Sequence, residues 1–322
     1  MHLDHMIDKA IASLDIPENP AELYNPVRYT LGLGGKRLRP KLALLAAGMC
    51  GGNPEKVLPA ALSIELLHNF TLIHDDIMDH AATRRGQPSV HEKWDKETAI
   101  LSGDVMFILA MKQLVAGENM YSDREKADLL HLFLDAIQTV CDGQAMDMAF
   151  EKRNDVTASE YLQMIHDKTA ALFRCSMELG ALLAGSDNRE QQYCADIGKE
   201  AGMAFQIQDD LLDAVGDNSK IGKKVGGDIN EGKKTYLSIL AMERADDSDR
   251  LLLNQTLGKK DAGEAEILWV IRLYHDLGVI KDALAAITQH YNKAVQILAL
   301  FDDSEYKRKI KTLFDQLKVR ES

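Results

Sequence analysis

The residues best equipped for chemistry in this chain are two aspartate-rich segments, Asp75-Asp76-Ile77-Met78-Asp79 and Asp209-Asp210-Leu211-Leu212-Asp213, which repeat the pattern D-D-x-x-D. Each lies in a long apolar stretch of helical character. Residues four apart on an α-helix lie one turn apart on the same face. Asp75 and Asp79 therefore project together, as do Asp209 and Asp213. Like charges at that spacing weaken a helix by roughly 0.2–0.5 kcal/mol, so a chain that accepts the pattern twice is using it to hold cations. Magnesium suits such sites, because it takes hard oxygen ligands, binds through one or two carboxylates and completes its shell with waters and substrate phosphates. The spacing points to a helical enzyme that clamps a diphosphate between two acidic walls.

Cationic residues are set out in an order that answers those walls. Gly34-Gly35-Lys36-Arg37-Leu38-Arg39-Pro40-Lys41 places four cations within six residues behind two glycines. The glycines allow a tight turn and a close backbone approach, and the cations can grip phosphate oxygens. Arg84-Arg85-Gly86 follows the first acidic motif, Lys168-Thr169 lies mid-helix, and Gly222-Lys223 and Gly232-Lys233 follow the second motif. Any one of these clusters alone is more often a solvated face, and an isolated D-D-x-x-D is often a surface cluster. Their joint order carries the reading. His68 precedes Asp75 by seven residues, about two turns, and shares its face, which favours a site role over a satisfied core histidine. His74, beside Asp75, points elsewhere and reads as structural.

Holding these groups requires long helices with buried faces, and helical periodicity dominates the chain. Helices are expected at 3–14, 20–31, 37–50, 54–80, 95–116, 122–150, 157–184, 189–214, 233–244, 248–257, 263–274, 276–300 and 303–318. The helix over 54–80 is apolar on most faces, through Val57, Leu58, Leu62, Ile64, Leu66, Leu67, Phe70, Leu72 and Ile73, and belongs at the centre of a bundle. The helix ending at Asp209–Asp213 has the same character. No stretch alternates with period two, so the fold class is all-α, a large helical bundle with its site at one open end. No linker or composition break interrupts the chain, and a single domain over 1–322 is expected.

A formal charge of -12 argues against general nucleic-acid binding and means that an anionic substrate needs a local basic patch. The four cysteines, Cys50, Cys141, Cys175 and Cys194, lack paired spacing and read as buried thiols of a reducing cytoplasm. The N-terminal residues carry charges, and no run approaches the length and apolarity of a membrane span. A cytoplasmic protein is expected.

The combined motifs resemble those of the trans-isoprenyl diphosphate synthases, the polyprenyl synthetase family. The resemblance runs through Gly34–Pro40, Leu72–Gly86, Gln87–Gly103, Lys168–Gly185, Phe205–Asp217 and Gly222–Tyr236, nearly the whole chain from about residue 20 onward. It implies the isoprenoid synthase fold, a homodimer, and condensation of isopentenyl diphosphate with an allylic diphosphate, with three magnesium ions per site once substrate is bound. By the same resemblance Asp75, Asp79 and Asp209 bind metal, while Asp76, Asp210 and Asp213 act from behind or through water. Arg84, Lys168 and Lys233 hold the allylic diphosphate with Lys223 close by. Lys36, Arg39, His68 and Arg85 take the diphosphate of isopentenyl diphosphate, and Thr169 and Gln206 sit beside the developing carbocation. Two positions depart from the family pattern: Leu237 stands where proline is usual and Ser89 where threonine is common, and neither supplies a ligand.

Two other readings are weighed against this one. A terpene cyclase would ordinarily carry an Asn/Ser/Glu metal motif at Asp209–Asp213 and lack the Gly34–Arg39 site. A catalytically dead regulatory subunit typically loses aspartates, and all six are present. Product length rests on Phe70, five residues before Asp75, about 7.5 Å along the helix and rotated about 140° from it. In the family an aromatic residue here is a floor for the prenyl tail. With the non-aromatic Thr71 and no two-residue insertion in the first motif, the pattern resembles enzymes that make the twenty-carbon geranylgeranyl product. The fifteen-carbon farnesyl product is the runner-up, a longer polyprenyl diphosphate is a further alternative, and Phe70 as plain bundle core is the alternative to its role as a floor.

Overall fold

The computed structural model describes residues 2–117, 120–215, 226–259 and 262–318. Its elements are α1 (His2–Ala12), α2 (Ala21–Gly32), α3 (Leu38–Met49), α4 (Pro54–Met78), β1 (Thr83–Arg84), β2 (Gln87–Pro88), α5 (Val90–Lys93), α6 (Lys96–Val115) and α7 (Asp123–Phe150). There follow α8 (Ala158–Ile165), a π-helical turn (His166–Ala170), α9 (Ala171–Leu183), α10 (Asn188–Val215), α11 (Gly227–Glu231), α12 (Tyr236–Arg244), α13 (Asp247–Thr256), α14 (Glu264–Asp276), α15 (Val279–Leu298) and α16 (Glu305–Lys318). The fold is all-α, as the periodicity implies. Three features depart from the expected helices. The segment 157–184 is broken by the π turn, where the Ala171 N–H reaches back five residues to the His166 carbonyl. The chain after Met78 forms a two-stranded antiparallel hairpin, Thr83 opposite Pro88 and Arg84 opposite Gln87. The helix expected from 233 starts only at Tyr236, because Thr235 and Ser238 form a capping box there.

By internal contacts the chain groups into two compact units. The first comprises Met1–Leu134, Cys175–Ala195 and Phe301–Lys307. Its central element is α4, which Asn53 opens by accepting the Glu55 N–H at 2.9 Å, with Pro54 in the first helical position. Leu62, Ile64, Leu66, Leu67 and Ile73 are buried along it, each contributing roughly 1.5–3 kcal/mol. It packs along α3 and α6. At Gly103 a Cβ would come within 2.3 Å of His74 Nε2, and that nitrogen lies 3.1 Å from the Ile100 carbonyl oxygen. His74 is thus a helix-packing residue.

Among the described residues two helices are long and apolar enough to cross a membrane by length and composition. Of α4's most apolar window 61% is buried, as in a core helix, against 39% for α6. The face of α6 that remains exposed carries Leu101, Ile108 and Val115, seven residues apart.

The second unit comprises Asp135–Arg174, Asp196–Leu300 and Arg308–Ser322. Its α8 begins with a capping box between Thr157 and Glu160. Two glycines bring neighbouring backbones against the π turn. A Cβ at Gly143 of α7 would stand 2.2 Å from the Lys168 nitrogen, and one at Gly202 of α10 would stand 2.6 Å from the Ala170 Cα. Tyr161, Tyr274 and Tyr291 fill the core of this unit. One expectation about side chains is corrected: only Cys175 and Cys194 are buried, Cys50 is half-buried, and Cys141 is exposed because it lies on an outward face of α7.

Candidate active site

The end of α4 carries the first acidic motif. Asp79 is the C-cap and its N–H bonds the Asp75 carbonyl at 2.8 Å, so both carboxylates stand in the last turn, half-exposed. The last carbonyls of a helix add a partial charge of about −0.5, which makes this end attractive to a cation. Asp76 faces the other way. It is 3% exposed and takes the Arg84 guanidinium, whose Nε lies 3.0 Å and 3.3 Å from its two oxygens while NH2 also bonds Oδ1. Burial works against the charge on Arg84, but the hydrogen bond and charge of Asp76, with Asp75 and Asp79 adding to them, raise its pKa. Arg84, expected to hold a diphosphate, is therefore held by its own acidic motif.

The turn before α3 sorts its four cations. Arg37 turns inward, pairs with Glu65 at 2.6 Å and donates to the Leu31 carbonyl at 2.7 Å. Asn69 donates to Glu65 Oε1 at 3.1 Å. Breaking a buried pair of this kind costs about 3–5 kcal/mol, so Arg37 fixes the turn, while Lys36 is exposed and Arg39 half-buried. Arg85 NH1 bonds the Gly34 carbonyl, and a Cβ at Gly35 would come 2.8 Å from that guanidinium. The turn and the hairpin are thereby locked together. His68 is held neutral, its pKa driven well below the usual value by burial and then by the charges of Arg39, Arg85, Arg84 and Arg37. The structure thus gathers Arg39, Arg85 and His68 into one electropositive patch suited to an anion. Phe70 is half-buried, edge-on to His74 with centroids 4.7 Å apart and 5.6 Å from Phe107. The Thr71 hydroxyl donates to the His68 carbonyl at 2.8 Å.

The end of α10 carries the second motif. Asp209 is half-exposed and Asp210 is 5% exposed. The Asp210 carboxylate accepts from the Tyr161 hydroxyl, from Gln206 Nε2 at 3.1 Å and from the Tyr236 N–H at 3.2 Å. Burial still pushes its pKa up to about 6, the hydrogen bonds opposing that rise. Asp213 caps α11, accepting the Asp228 N–H at 2.8 Å. Asp228 is itself pushed well above the carboxylate range by burial and by the charges of Asp213 and Asp210.

In the π turn, the Thr169 hydroxyl donates to Gln206 Oε1 at 2.8 Å, and Lys168 Nζ lies 2.6 Å from Asp147. Lys233 lies 3.2 Å from Glu231. Lys223 falls outside the described residues. Among the described residues no three His, Cys, Asp or Glu side chains gather into a ready-made metal cage. The hard oxygens of the half-exposed Asp75, Asp79 and Asp209 suit magnesium, which needs only one or two carboxylates and leaves the rest of its shell to water and phosphate.

The sequence profile described as polyprenyl synthetase matches residues 20–274. The chain belongs to the polyprenyl synthetase family. It is 38% identical over 316 residues to the short chain isoprenyl diphosphate synthase of Methanothermobacter thermautotrophicus, covering 98% of this chain and 96% of that one. It is 41% identical to the geranylgeranyl diphosphate synthase of Saccharolobus solfataricus over 73% of this chain and 70% of the relative. Among solved structures, the geranylgeranyl pyrophosphate synthetase of Pyrococcus horikoshii superposes with a TM-score of 0.93 at 37% identity, over 99% of this chain and 96% of the other. Membership makes this a short-chain trans-prenyltransferase, and the family joins isopentenyl diphosphate to an allylic diphosphate in a magnesium-dependent reaction.

Several residues around these motifs carry no signal in the sequence. Asp147 is one of several aspartates on α7, and nothing in its spacing points to Lys168. Glu65 and Asn69 sit on an apolar helix, where polar residues i and i+4 could have drawn notice as a pair. Tyr161, 2% exposed, looks like any core aromatic until its hydroxyl is seen on Asp210.

Proposed function

We propose that this chain makes all-trans geranylgeranyl diphosphate from isopentenyl diphosphate and an allylic primer, with farnesyl diphosphate as the second reading. The observation that carries the chain-length reading is Phe70: an aromatic ring five residues before Asp75, half-buried and backed by His74 and Phe107. A ring so backed can stop a growing tail. The names of the relatives in the Methanothermobacter and Saccharolobus proteins agree with a short-chain product.

Asp75, Asp79 and Asp209 are the proposed holders of magnesium, three ions with substrate bound. When bound, magnesium neutralises the charge that develops on the departing diphosphate. The chain's own residues do the rest. Arg84, Lys168, Lys233 and Lys223 would bind the allylic diphosphate, and Asp76 and Asp147 keep the first two of these cations in place. Lys36, Arg39, Arg85 and the neutral His68 would bind the diphosphate of isopentenyl diphosphate, His68 offering a ring N–H without adding a fifth positive charge to four arginines. The oxygens of Thr169 and Gln206 would face the allylic cation and favour positive charge there. Apolar side chains keep water from the cation while its carbon–carbon bond forms, and loss of a proton completes the extension.

We further propose a single catalytic domain over 1–322, a homodimer and a cytoplasmic setting. The unbroken match over residues 20–274, which spans both compact units, supports the first. The exposed stripe Leu101, Ile108 and Val115 supports the second, because apolar patches of this kind mark interfaces. The cysteines' unpaired spacing supports the third. Product analysis decides the main proposal. Purified protein, magnesium and isopentenyl diphosphate with each allylic primer should yield a dominant twenty-carbon alcohol after dephosphorylation, and a dominant fifteen- or twenty-five-carbon alcohol would overturn it.

A further inference from the structure

We infer that Tyr161 is a positioning residue for the condensation, acting through Asp210 to fix the orientation of the Gln206 amide. The inference rests on the proposed placement of Thr169 and Gln206 beside the allylic cation. An amide side chain can be turned end for end with little change in shape, so something must decide which end faces the reaction. Here Gln206 Nε2 donates to Asp210 Oδ1 at 3.1 Å, which leaves Oε1 to accept the Thr169 hydroxyl at 2.8 Å. The Asp210 carboxylate is the anchor of this chain of bonds. Its other oxygen is taken by the Tyr161 hydroxyl and by the Tyr236 N–H. Every proton in the series points inward: Thr169 to Gln206, Gln206 to Asp210, and Tyr161 to Asp210 from the far side. The lone pairs of Thr169 and Gln206 are thereby left to the outside, the polarity a cation requires.

The backbone explains how one helical segment supplies both ends of the series. Tyr161 and Thr169 are eight positions apart, which on a regular helix would set them about 80° out of phase. The π turn at His166–Ala170 absorbs one residue. The effective spacing becomes seven, and the two side chains come within about 20° of one face. Both then reach α10, where Gln206 and Asp210 stand one turn apart. Tyr161 is buried and its hydroxyl donates to Asp210, which is not among the proposed holders of metal or diphosphate, so the mechanism gives it no other task.

The test is a double-mutant cycle read as the single-turnover rate of condensation, together with KM for isopentenyl diphosphate. Tyr161→Phe should lower the rate at least about tenfold, leave that KM unchanged, and keep the helical content and cooperative unfolding of the parent. In a Gln206→Leu background the same change should cost less than about twofold, because its route to the cation is already cut. Thr169→Val should show the same loss of additivity with Tyr161→Phe. A full rate in Tyr161→Phe overturns the inference, and so do costs that multiply in the double variants. Gln206→Leu alone reads the underlying placement separately: if it leaves the rate intact, Gln206 does not serve the cation, and a rate loss in Tyr161→Phe must then have another origin. Should Tyr161→Phe fold poorly, the Thr169→Val and Gln206→Leu pair still tests the series, since two members of one chain of bonds must be non-additive.

Discussion

Asp76 and Asp210 occupy the same place in the same five-residue pattern, both turned inward and almost fully buried, yet one is answered by a cation and the other by neutral donors. At the end of α4 the middle aspartate holds Arg84, a group proposed to bind diphosphate. At the end of α10 it holds a tyrosine, a glutamine and a backbone N–H. The outer aspartates of the two motifs are half-exposed, and Asp75, Asp79 and Asp209 among them are the proposed holders of metal. A repeated motif therefore sets the outer carboxylates and leaves the inner one to its surroundings: the first region uses it to place a charge, the second to orient a dipole.

The largest effect should come from what the two regions share. Asp75→Asn and Asp209→Asn should each reduce turnover by roughly 10²–10³-fold with helix content unchanged by circular dichroism. A normal rate in either would remove that end from metal binding. The middle aspartates should then separate the regions. Asp76→Asn strands a partly buried guanidinium and should cost about 3 kcal/mol of stability, whereas Asp210→Asn removes a buried charge along with one acceptor and should cost under about 1 kcal/mol at neutral pH. Denaturant unfolding of the pair measures the difference, and equal costs would mean that the two inner aspartates do not differ in role.

Acidity should sharpen the contrast, because the two regions respond in opposite senses. Asp210 keeps its proton in the folded chain up to about pH 6, while an unfolded aspartate loses it near pH 3.9. Between those values the folded state binds more protons, so stability falls as pH rises, by up to about 3 kcal/mol relative to Asp210→Asn. His68 does the reverse. Its folded pKa is depressed and an unfolded histidine takes up a proton near pH 6.5, so stability falls as pH drops below that point, by about 1.4 kcal/mol per pH unit relative to His68→Gln. Unfolding curves measured across pH 4–8 in metal-free buffer should show both bends.

The smallest expected effect on rate concerns the residues five before each motif, Phe70 in the first region and Ala204 in the second. If Phe70 is the floor of the tail, Phe70→Ala should lengthen the product by one or more five-carbon units. As plain core it would cost about 3 kcal/mol and leave the product alone. Chromatography of the dephosphorylated products decides.

The sequence made the outer carboxylates legible because i, i+4 spacing translates directly into a shared helix face, and the run from 54 to 78 announced a central helix through its apolar residues on all sides. It also brought His68, Arg39 and Arg85 into one expectation, and in the structure the charges of both arginines act on His68. The rest depended on contacts between distant segments. Arg37 reads like its neighbours Lys36 and Arg39, and only the meeting with Glu65, 28 residues away, turns it inward. Asp147 and Lys168 are 21 residues apart on separate elements. The π turn leaves the apolar periodicity of 157–184 nearly intact, and the hairpin strands are two residues long, too short for any alternation to register.

Arg37, His80 and Arg85 all hold left-handed backbone conformations, with φ of 47°, 51° and 54°, at a cost of roughly 1–3 kcal/mol each. Glycine or asparagine would sit at these positions more comfortably. A library screened for thermal stability alone would therefore favour replacing Arg85, the residue that clasps the Gly34 carbonyl, and would dismantle the electropositive patch while appearing to improve the protein. At Arg85 selection for a durable fold and selection for a working site pull in opposite directions, and the cation that remains there records which of the two prevailed.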